Sequence, residues 1–478
     1  MKIDDNLQHP IEEFSKLIDK KPALILVYLL SLQLIFRLII FFTTNTFAFT
    51  DWRVYLAGIE QIRNGENLPL FSRAFAFLLS YIGYFFKYTL GNLDYFFILN
   101  SILGVLVSFV SFFIVKEITN NYRKALLVVA LQTIYVEFLA FSSIFYTVII
   151  MLLLVNLVIY LTIKFLKNDE KSKNVIISIF ILAIVFATFF FKMELQYFGY
   201  LFFLYSLFLV KNKSLFLKII FLAILTTLTT YLTGELKKSL NPSKTGTIDF
   251  IFFGHTFYGG KGGEGDFIFK EKRDLYDKKM KEYFDKNKIN NPTSADTGRF
   301  QKNVILNFIT TEPHMWFLLQ ARKFFFTFGI VPEGNSFTIL YKGLFNRNFI
   351  LSASIVVFPI VLIILLFIIA FKKESLKAIF NDKILLFLFL FLIYYLGATV
   401  FYGHYQERYR IPVVTMFILP FIAIFSDNLS IKNIFKDKKS LLIKIIIVLL
   451  FVSAWSYQAY EALILSKDRY GIIFDKDF

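Results

Sequence analysis

The sequence has no cysteine among its 478 residues, and only 18% of its residues are charged. Without cysteine the chain can form no disulfide bond, no thiolate metal site and no cysteine nucleophile. Its four histidines are scattered, with no HxxxH or HExxH spacing for zinc: His9, His255, His314 and His404. We therefore predict no obligatory metal cofactor, and a divalent ion stays open as an alternative that the ligand spacing does not support.

Apolar residues are what the chain has in abundance. Hydrophobic residues make up 57% of it and aromatic residues 19%, with a mean hydropathy of +0.61. These values lie far outside the range of soluble globular proteins and predict an all-α polytopic membrane protein. The net charge of +17 would suggest nucleic acid in a soluble protein. Here lysines in short loops set the membrane orientation, so we expect membrane lipids and no nucleic acid as partners.

About eleven membrane spans follow from the need for about twenty apolar residues in each spanning helix. The first is read as a retained span because no small-residue cleavage site follows it. The stretch 74–90 is read as a helix lying in the membrane interface, since counting it as a span would turn every later basic loop outward. The spans are about 23–42, 95–115, two within 125–163, two within 175–209, 219–232, 349–370, one ending near 400, 411–425 and 441–454.

Basic residues orient these spans. All six predicted inner segments hold three or more lysines or arginines, and the short outer tips hold few, as the positive-inside rule requires. The three tryptophans, Trp52, Trp316 and Trp455, all fall near the predicted outer interface, where aromatic belts form. We predict a multi-pass protein of a prokaryotic cytoplasmic (inner) membrane, with an active site that faces the extracytoplasmic side.

Three parts make up the predicted domain organisation. Residues 1–233 form an N-terminal transmembrane catalytic module with the first outer loop, 43–94, which carries interfacial helices. Residues 234–348 form a small extracytoplasmic subdomain, and residues 349–478 form the C-terminal transmembrane helices. Gly259–Gly265 is glycine-rich but lacks the GxxxxGK[ST] order of a phosphate-binding loop, so we interpret it as a mobile loop.

Three polar clusters fall on the predicted outer side. Asp51 and Arg53 come directly after the first span, and Lys192 with Glu194 lies at an outward tip. A segment between two late spans compresses four ionisable residues into seven positions: His404, Glu407, Arg408 and Arg410. A solvated loop acid would explain the first cluster, and an internal salt bridge would explain the second. Ionisable residues at such depth otherwise pair with each other or line a ligand site.

A carboxylate beside a membrane, opposite cations that could hold a lipid-linked phosphate, is what glycosyl transfer from a polyprenyl-phosphate donor requires. The carboxylate takes the proton from an acceptor hydroxyl as a general base. The cations stabilise the departing phosphate, and arginine suits phosphate because its planar fork donates two parallel hydrogen bonds.

With these residues the sequence resembles the GT-C membrane glycosyltransferases, the group that contains protein O-mannosyltransferases and bacterial aminoarabinose transferases. Asp51, with Tyr55, Ala57 and Gly65 after it, looks like that family's first-loop acid motif. Leu68-Pro69-Leu70 resembles its Pro-Leu segment, and Arg408-Tyr409-Arg410-Ile411-Pro412 resembles its motif near the C-terminus. The likeness in topology extends along nearly the whole chain.

The resemblance implies that Asp51 is the catalytic residue. It implies that Arg408, Arg410 and Lys192 bind the donor phosphate, and we expect acceptor or sugar contacts from Tyr55, His404, Glu407 and Glu194. The donor would be a polyprenyl-phosphate-linked sugar, and the acceptor a lipid, a glycan or a protein. Two departures from the family weaken the expectation of a metal, because Trp52 and Tyr146-Thr147 stand where carboxylates often occur.

Two other readings stay open. An O-antigen polymerase or ligase would use a diphosphate-linked oligosaccharide, and the membrane-proximal Asp51 motif argues against it. A lipid-linked sugar flippase or transporter should show polar residues at mid-membrane depth and often repeated halves. We identify neither feature, but Arg37 and Glu137 have no explanation in the sequence.

Overall fold

The computed structural model describes about three quarters of the chain, and the description of the fold is limited to those residues. Asp51, Glu407 and Arg408 are described by their backbone only. The described ranges are 18–43, 51–66, 78–191, 195, 197–240, 278, 280–292, 294–311, 313–329, 349–398, 407–430 and 438–460.

Helices account for nearly all of the described residues, and no strand occurs among them. The π turn Phe85–Thr89 extends the helix Leu78–Tyr84, and the π turn Val414–Ile418 joins the helices Glu407–Val413 and Leu419–Ile424. The helices are α1 Pro22–Thr43, α2 Asp51–Arg63, α3 Leu78–Tyr84, α4 Asp94–Thr119, α5 Tyr122–Ile134, α6 Val136–Ala140, α7 Val148–Lys167, α8 Lys171–Thr188, α9 Phe198–Leu207, α10 Lys213–Leu240, α11 Ser294–Thr311, α12 Pro313–Thr327, α13 Phe349–Ala370, α14 Lys373–Asn381, α15 Lys383–Leu396, α16 Glu407–Val413, α17 Leu419–Ile424 and α18 Lys438–Tyr460.

Six of the described helices are long and apolar enough to cross a membrane, and a seventh candidate is the bent pair α5 and α6. The six are α1, α4, α7, α8, the first part of α10 and most of α18. Shorter apolar helices occupy four further stretches for which spans were predicted: Phe198–Leu207, Val357–Ala370, Lys383–Leu396 and Tyr409–Ile424. An all-helical, multi-pass membrane protein is therefore confirmed over the described residues, whereas the count of about eleven spans is not.

The described residues form two compact units. The three-part division of the chain, and the side of the membrane that each loop faces, stay predictions. One unit holds residues within Met1–Gly234, Asn335–Leu392 and Ile411–Lys444, and the other holds residues within Glu235–Gly334, Ile393–Arg410 and Ile445–Phe478.

Helix α4 lies at the centre of the first unit, where it packs against α1, α5 and α7. Polar side chains join these helices in the interior. Gln132 Nε2 donates to Ser111 Oγ at 3.0 Å and to the Thr415 carbonyl at 3.1 Å, and Asn156 Nδ2 donates to the same Ser111 oxygen at 3.1 Å. Because these groups are buried in surroundings of low polarity, each bond is worth more here than at a surface.

A sharp bend separates α5 from α6. The two helices meet at Tyr135 at an angle of 70°, and a 3-10 turn, Phe141–Ser143, follows α6 before α7 begins. Two spans with an outward tip near 140–146 were predicted here. The residues of that tip are buried: Arg37 of α1 bonds Ser142 Oγ, and Asn100 of α4 donates to the carbonyls of Phe141 and Ser142. The side of the membrane that the tip faces stays a prediction.

The stretch predicted to lie in the interface is described from Leu78 to Thr89, as seven residues of α3 and five of the π turn. A helix of that length reaches less than about 20 Å, which is too short to cross a hydrocarbon core of about 30 Å. Helix α3 packs against α2. The described part of 74–90 is thus consistent with a helix that does not span.

Candidate functional site

Helix α2 begins at Asp51, eight residues after the end of the first span. The backbone of Asp51 is the first helical residue of the thirteen in α2. A carboxylate at this end of a helix is favoured by the unpaired backbone N–H groups and by the helix dipole. The sequence and the fold therefore agree in placing an acidic residue at the start of a helix that follows the first span.

Aromatic contacts fix the first two turns of α2. Trp52 and Tyr55 are only 5% and 4% exposed. The Trp52 ring lies edge-on to Phe97 of α4, with 6.1 Å between centroids. The Tyr55 ring lies edge-on to Phe145 and Tyr146, at 6.2 and 6.1 Å. With Ile59, which is also buried, these residues form the apolar face of a helix that lies against the rest of the first unit.

Helix α3 also packs against α2. Ser80 Oγ donates a hydrogen bond of 3.0 Å to the Tyr55 carbonyl. Gly83 allows the close approach of the two helices, because a Cβ at this position would lie 2.5 Å from Ile59 Cδ1 and from Phe145 Cζ. The orientation of α2 is consequently determined by three elements: α3, α4 and the segment that follows α6.

A charged cluster covers the solvent side of α2 and the π turn. Lys87 Nζ lies 2.6 Å from Glu60 Oε1, and Tyr88 donates to both Glu60 oxygens at 2.8 Å. The Arg63 guanidinium lies over the Tyr88 ring, 5.0 Å from its centroid. The hydrogen bond from Lys87 and that from Tyr88 lower the pKa of Glu60. The Glu60 hydrogen bond raises the pKa of Lys87, so the pair is ionised at neutral pH.

A buried arginine of the first span, Arg37, contacts the carboxyl end of α6 and the turn that follows it. Arg37 Nη1 donates to the Phe138 carbonyl at 3.0 Å and to the Leu139 carbonyl at 3.4 Å, and it also bonds Ser142 Oγ. Its guanidinium lies over the Phe138 ring, 4.1 Å from the centroid. These carbonyls belong to the last turn of α6, where helix carbonyls lack their usual i+4 partners, and that of Leu139 also accepts from the Phe141 N–H. Arg37 therefore caps the carboxyl end of α6.

Helix α4 completes the surroundings of this arginine. Asn100 Nδ2 donates to the Ser142 carbonyl at 3.0 Å and to the Phe141 carbonyl at 3.4 Å. A Cβ at Gly104 would lie 2.5 Å from Arg37 Cζ and Nη1, so the glycine leaves room for the guanidinium. Arg37 is 0% exposed, and its Nε and Nη2 have no hydrogen-bond partner among the described residues. Glu137 is also buried and accepts a hydrogen bond of 3.0 Å from the Tyr135 hydroxyl.

A second buried arginine occurs in the other unit. Arg410 is 2% exposed, and its Nη1 donates to the carbonyls of Thr327, at 3.3 Å, and Gly329. Trp455 Nε1 donates to the Phe328 carbonyl at 3.1 Å. Together they cap the carboxyl end of α12. On the preceding turn of α12, burial lowers the pKa of the Lys323 ammonium to about 6.

The predicted site residues differ in how much of each one the structure describes. Asp51 and Tyr55 lie one turn apart on α2 in the first unit, while Arg410 caps α12 in the second. Arg408 and Glu407 are placed at the start of α16 by their backbone. Four further predictions, Lys192, Glu194, His404 and the segment Leu68-Pro69-Leu70, lie outside the described residues. The site assignments of all these residues stay predictions.

Metal binding receives no support from the described part of the chain. Within it, no three side chains of the histidine, aspartate and glutamate types are grouped to hold an ion. The expectation of no obligatory metal stays untested.

The contacts of Glu60 and Arg37 were not foreseen from the sequence, although a charged residue inside an apolar span is a signal for a specific interior partner.

Over its described residues, the chain has the fold of a multi-pass, all-helical membrane protein whose apolar interior contains scattered polar side chains. A comparison with protein-family models found no match, and a comparison with curated proteins found none either. Among solved structures, the chain is similar to the archaeal oligosaccharyltransferase AglB from Archaeoglobus fulgidus, solved in complex with an inhibitory peptide and a dolichol-phosphate. The identity is 12% and the TM-score 0.48, and the alignment covers 94% of this chain and 56% of that chain. A likeness of this size does not by itself assign a function.

Proposed function

We propose that the protein is a GT-C type glycosyltransferase that moves one sugar from a polyprenyl-phosphate donor to an acceptor on the extracytoplasmic side of the membrane. The observation that carries the proposal is the position of Asp51. It is the first residue of a non-spanning helix that directly follows the first span, and the buried faces of Trp52 and Tyr55 hold that helix in place. The acceptor would be a lipid, a glycan or a protein.

The chemistry is an inverting displacement at the anomeric carbon. The Asp51 carboxylate accepts the proton of an acceptor hydroxyl while that oxygen forms a bond to the anomeric carbon. On the opposite face the bond from the anomeric carbon to the phosphate oxygen breaks, and polyprenyl phosphate leaves with the electron pair. A cation near the phosphate stabilises this developing charge.

Arg408 is the cation to which we assign the largest part of donor binding. Arg410 and Lys192 share that role in the sequence-based hypothesis. Arg410, however, is buried and already donates to two backbone carbonyls, which engages part of the fork that phosphate would need. Tyr55, His404, Glu407 and Glu194 are kept as candidates for sugar or acceptor contacts.

The test is Asp51→Asn in the purified, full-length protein, supplied with polyprenyl-phosphate sugars and a membrane extract as acceptor. The amide cannot accept the proton, so transfer should fall by about 100- to 10,000-fold, with donor binding and folding unchanged. Asp94→Asn is the matched control, because Asp94 also begins a helix near the same predicted outer loop but makes a local bond to Asn92. Full transfer by Asp51→Asn would reject the proposal.

A lipid-linked sugar transporter is the second candidate, favoured by the bent helix pair and by the buried Arg37 and Glu137. Bent helices with buried polar groups are typical of transporter sites. In proteoliposomes a transporter would move an intact lipid-linked sugar between leaflets and release no polyprenyl phosphate. Chemical analysis of the lipid after incubation therefore separates the two candidates.

A further inference from the structure

Arg37 has no place in the proposed chemistry, yet it is fully buried within the first span. A charge in that position is expensive unless it makes specific contacts. Within the described residues, its hydrogen bonds are all with one short segment, the end of α6 and the 3-10 turn that follows. Arg37 thus determines where this segment lies relative to the first span.

The same segment continues directly into the contacts of α2. Phe145 and Tyr146 come three and four residues after Ser142 in the chain, and both rings pack against Tyr55. Phe145 also lies edge-on to Phe96 of α4, at 4.7 Å, and is fully buried. Packed rings transmit a displacement because interiors are dense. A shift of the turn at Ser142 would therefore move the support of Tyr55, which is one helical turn from Asp51.

We infer that Arg37 is a positioning residue for Asp51, acting through the segment 138–146 and the Tyr55 ring to fix the start of α2. The inference rests on the proposed function for its catalytic consequence, since Asp51 is the base only in that proposal. The structural part, a coupling between Arg37 and the start of α2, can be measured without any assay of transfer.

The guanidinium is suited to this task in a way that an ammonium is not. One nitrogen bonds two carbonyls and a hydroxyl while the plane of the group covers the Phe138 ring. Lysine has a compact, strongly hydrated charge and no plane to stack. Gly104 leaves room for the planar group on its other side. Arg37→Lys keeps the charge and therefore tests the shape of the group.

Trp52 offers a probe beside the catalytic candidate. The chain has three tryptophans, so a Trp316→Phe/Trp455→Phe background leaves Trp52 alone, buried against Phe97. In this background we expect Arg37→Lys, Ser142→Ala and Gly104→Ala each to shift the Trp52 emission to longer wavelength and to increase its quenching by acrylamide. Gly104→Ala is informative because alanine favours a helix more than glycine, so any loosening of α2 must come from the displaced guanidinium.

Lys444→Met is the matched control. Lys444 is also a buried cation of the first unit, and its Nζ donates to the Ile369 carbonyl at 2.7 Å. Its loss should lower stability without changing Trp52 emission. The inference is overturned if folded, monodisperse Arg37→Lys, Ser142→Ala and Gly104→Ala proteins all retain the Trp52 emission and quenching of the background.

Transfer kinetics separate this inference from the proposed function. If both are correct, Arg37→Lys should lose about tenfold to a hundredfold in kcat, the cost of a small misplacement of a reacting group, with the KM for the donor little changed. A Trp52 shift in a protein whose parent shows no transfer would support the positioning role and reject the proposed function. Normal transfer and normal Trp52 emission in Arg37→Lys would support the proposed function and reject the positioning role.

Discussion

Two buried arginines, one in each compact unit, make nearly the same contact. Arg37 caps the end of α6 through the carbonyls of Phe138 and Leu139, and Arg410 caps the end of α12 through those of Thr327 and Gly329. In each case a single Nη1 serves both carbonyls. The sequence suggested opposite interpretations, with Arg410 in a phosphate site and Arg37 unexplained. Depth in an apolar segment therefore indicates a partner, but not whether that partner is substrate or backbone.

The difference between the two arginines lies in their surroundings. Arg37 bonds a third acceptor, Ser142 Oγ, and stacks on Phe138 inside a spanning helix. At the end of α12, Trp455 shares the capping with Arg410 by binding the intervening Phe328 carbonyl. Within the described residues, Arg37 is the one side chain that donates to the Phe138 and Leu139 carbonyls, whereas two side chains donate at the end of α12. We therefore expect unequal consequences when each arginine is removed.

The largest effect should come from Arg37→Met. Two carbonyls and a hydroxyl would lose their buried donor, so we expect a loss of about 2–5 kcal/mol in the free energy of unfolding. Removing a buried charge works in the opposite direction, but the carbonyls cannot turn to water. Arg410→Met should cost about 1–3 kcal/mol, because Trp455 stays. Apparent melting temperatures in one detergent give the order, and a stability of Arg37→Met at or above that of the parent would contradict it.

An intermediate effect concerns donor binding. Arg408→Met should weaken binding of a polyprenyl-phosphate donor by about tenfold to a hundredfold, because a charged hydrogen-bonded contact is worth about 1.5–3 kcal/mol. Arg410→Met should weaken it less and lower the melting temperature more. Donor titration beside thermal unfolding separates the two positions. Equal donor affinity in Arg408→Met and the parent would remove Arg408 from the phosphate site.

The smallest effect is a pH dependence at the surface of α2. The pKa of Glu60 is lowered in the folded protein by its bonds to Lys87 and Tyr88. Its stabilising contribution is therefore present above the ordinary value of 4.5 and is lost as pH falls through the lowered folded value. Because the cluster is partly exposed, we expect less than about 1 kcal/mol.

Comparison of the parent with Glu60→Gln measures this contribution. The difference in melting temperature should be constant between about pH 6 and 8 and should disappear on acidification. Glu66→Gln is the control, since Glu66 is exposed just beyond the end of α2. A difference that grows at low pH would reverse the assigned sign and contradict the bonding of Glu60.

The spans that the sequence predicted well are those in which composition alone decides. A long, mostly apolar run locates α1 and α4 to within a few residues, because a membrane requires a helix of about twenty residues. The bend at Tyr135 was not predictable in this way. No proline or glycine marks it, and the side chains that bind the short helix and turn beyond it, Arg37 and Asn100, lie far away in the chain.

The candidate site shows the same division. The spacing of Trp52, Tyr55 and Ile59 gives α2 an apolar face that can be read from the sequence. The partner of Glu60 lies 27 residues away across a loop, and no local pattern identifies it. Arg408 and Arg410 are two positions apart and look equivalent in the sequence, but helix geometry turns residues two apart to different sides.

The contacts of Arg37 also bear on the order in which the protein is assembled. The first span leaves the ribosome about a hundred residues before the carbonyls that its arginine will bind. Until then the guanidinium has no interior partner and must remain near headgroups or water, at a cost of about 3 kcal/mol if it is drawn to the bilayer centre. Burial of the other, apolar residues of α1 offsets that cost, so the first span can insert early. Its packing against α6 forms later, once α6 has been synthesised.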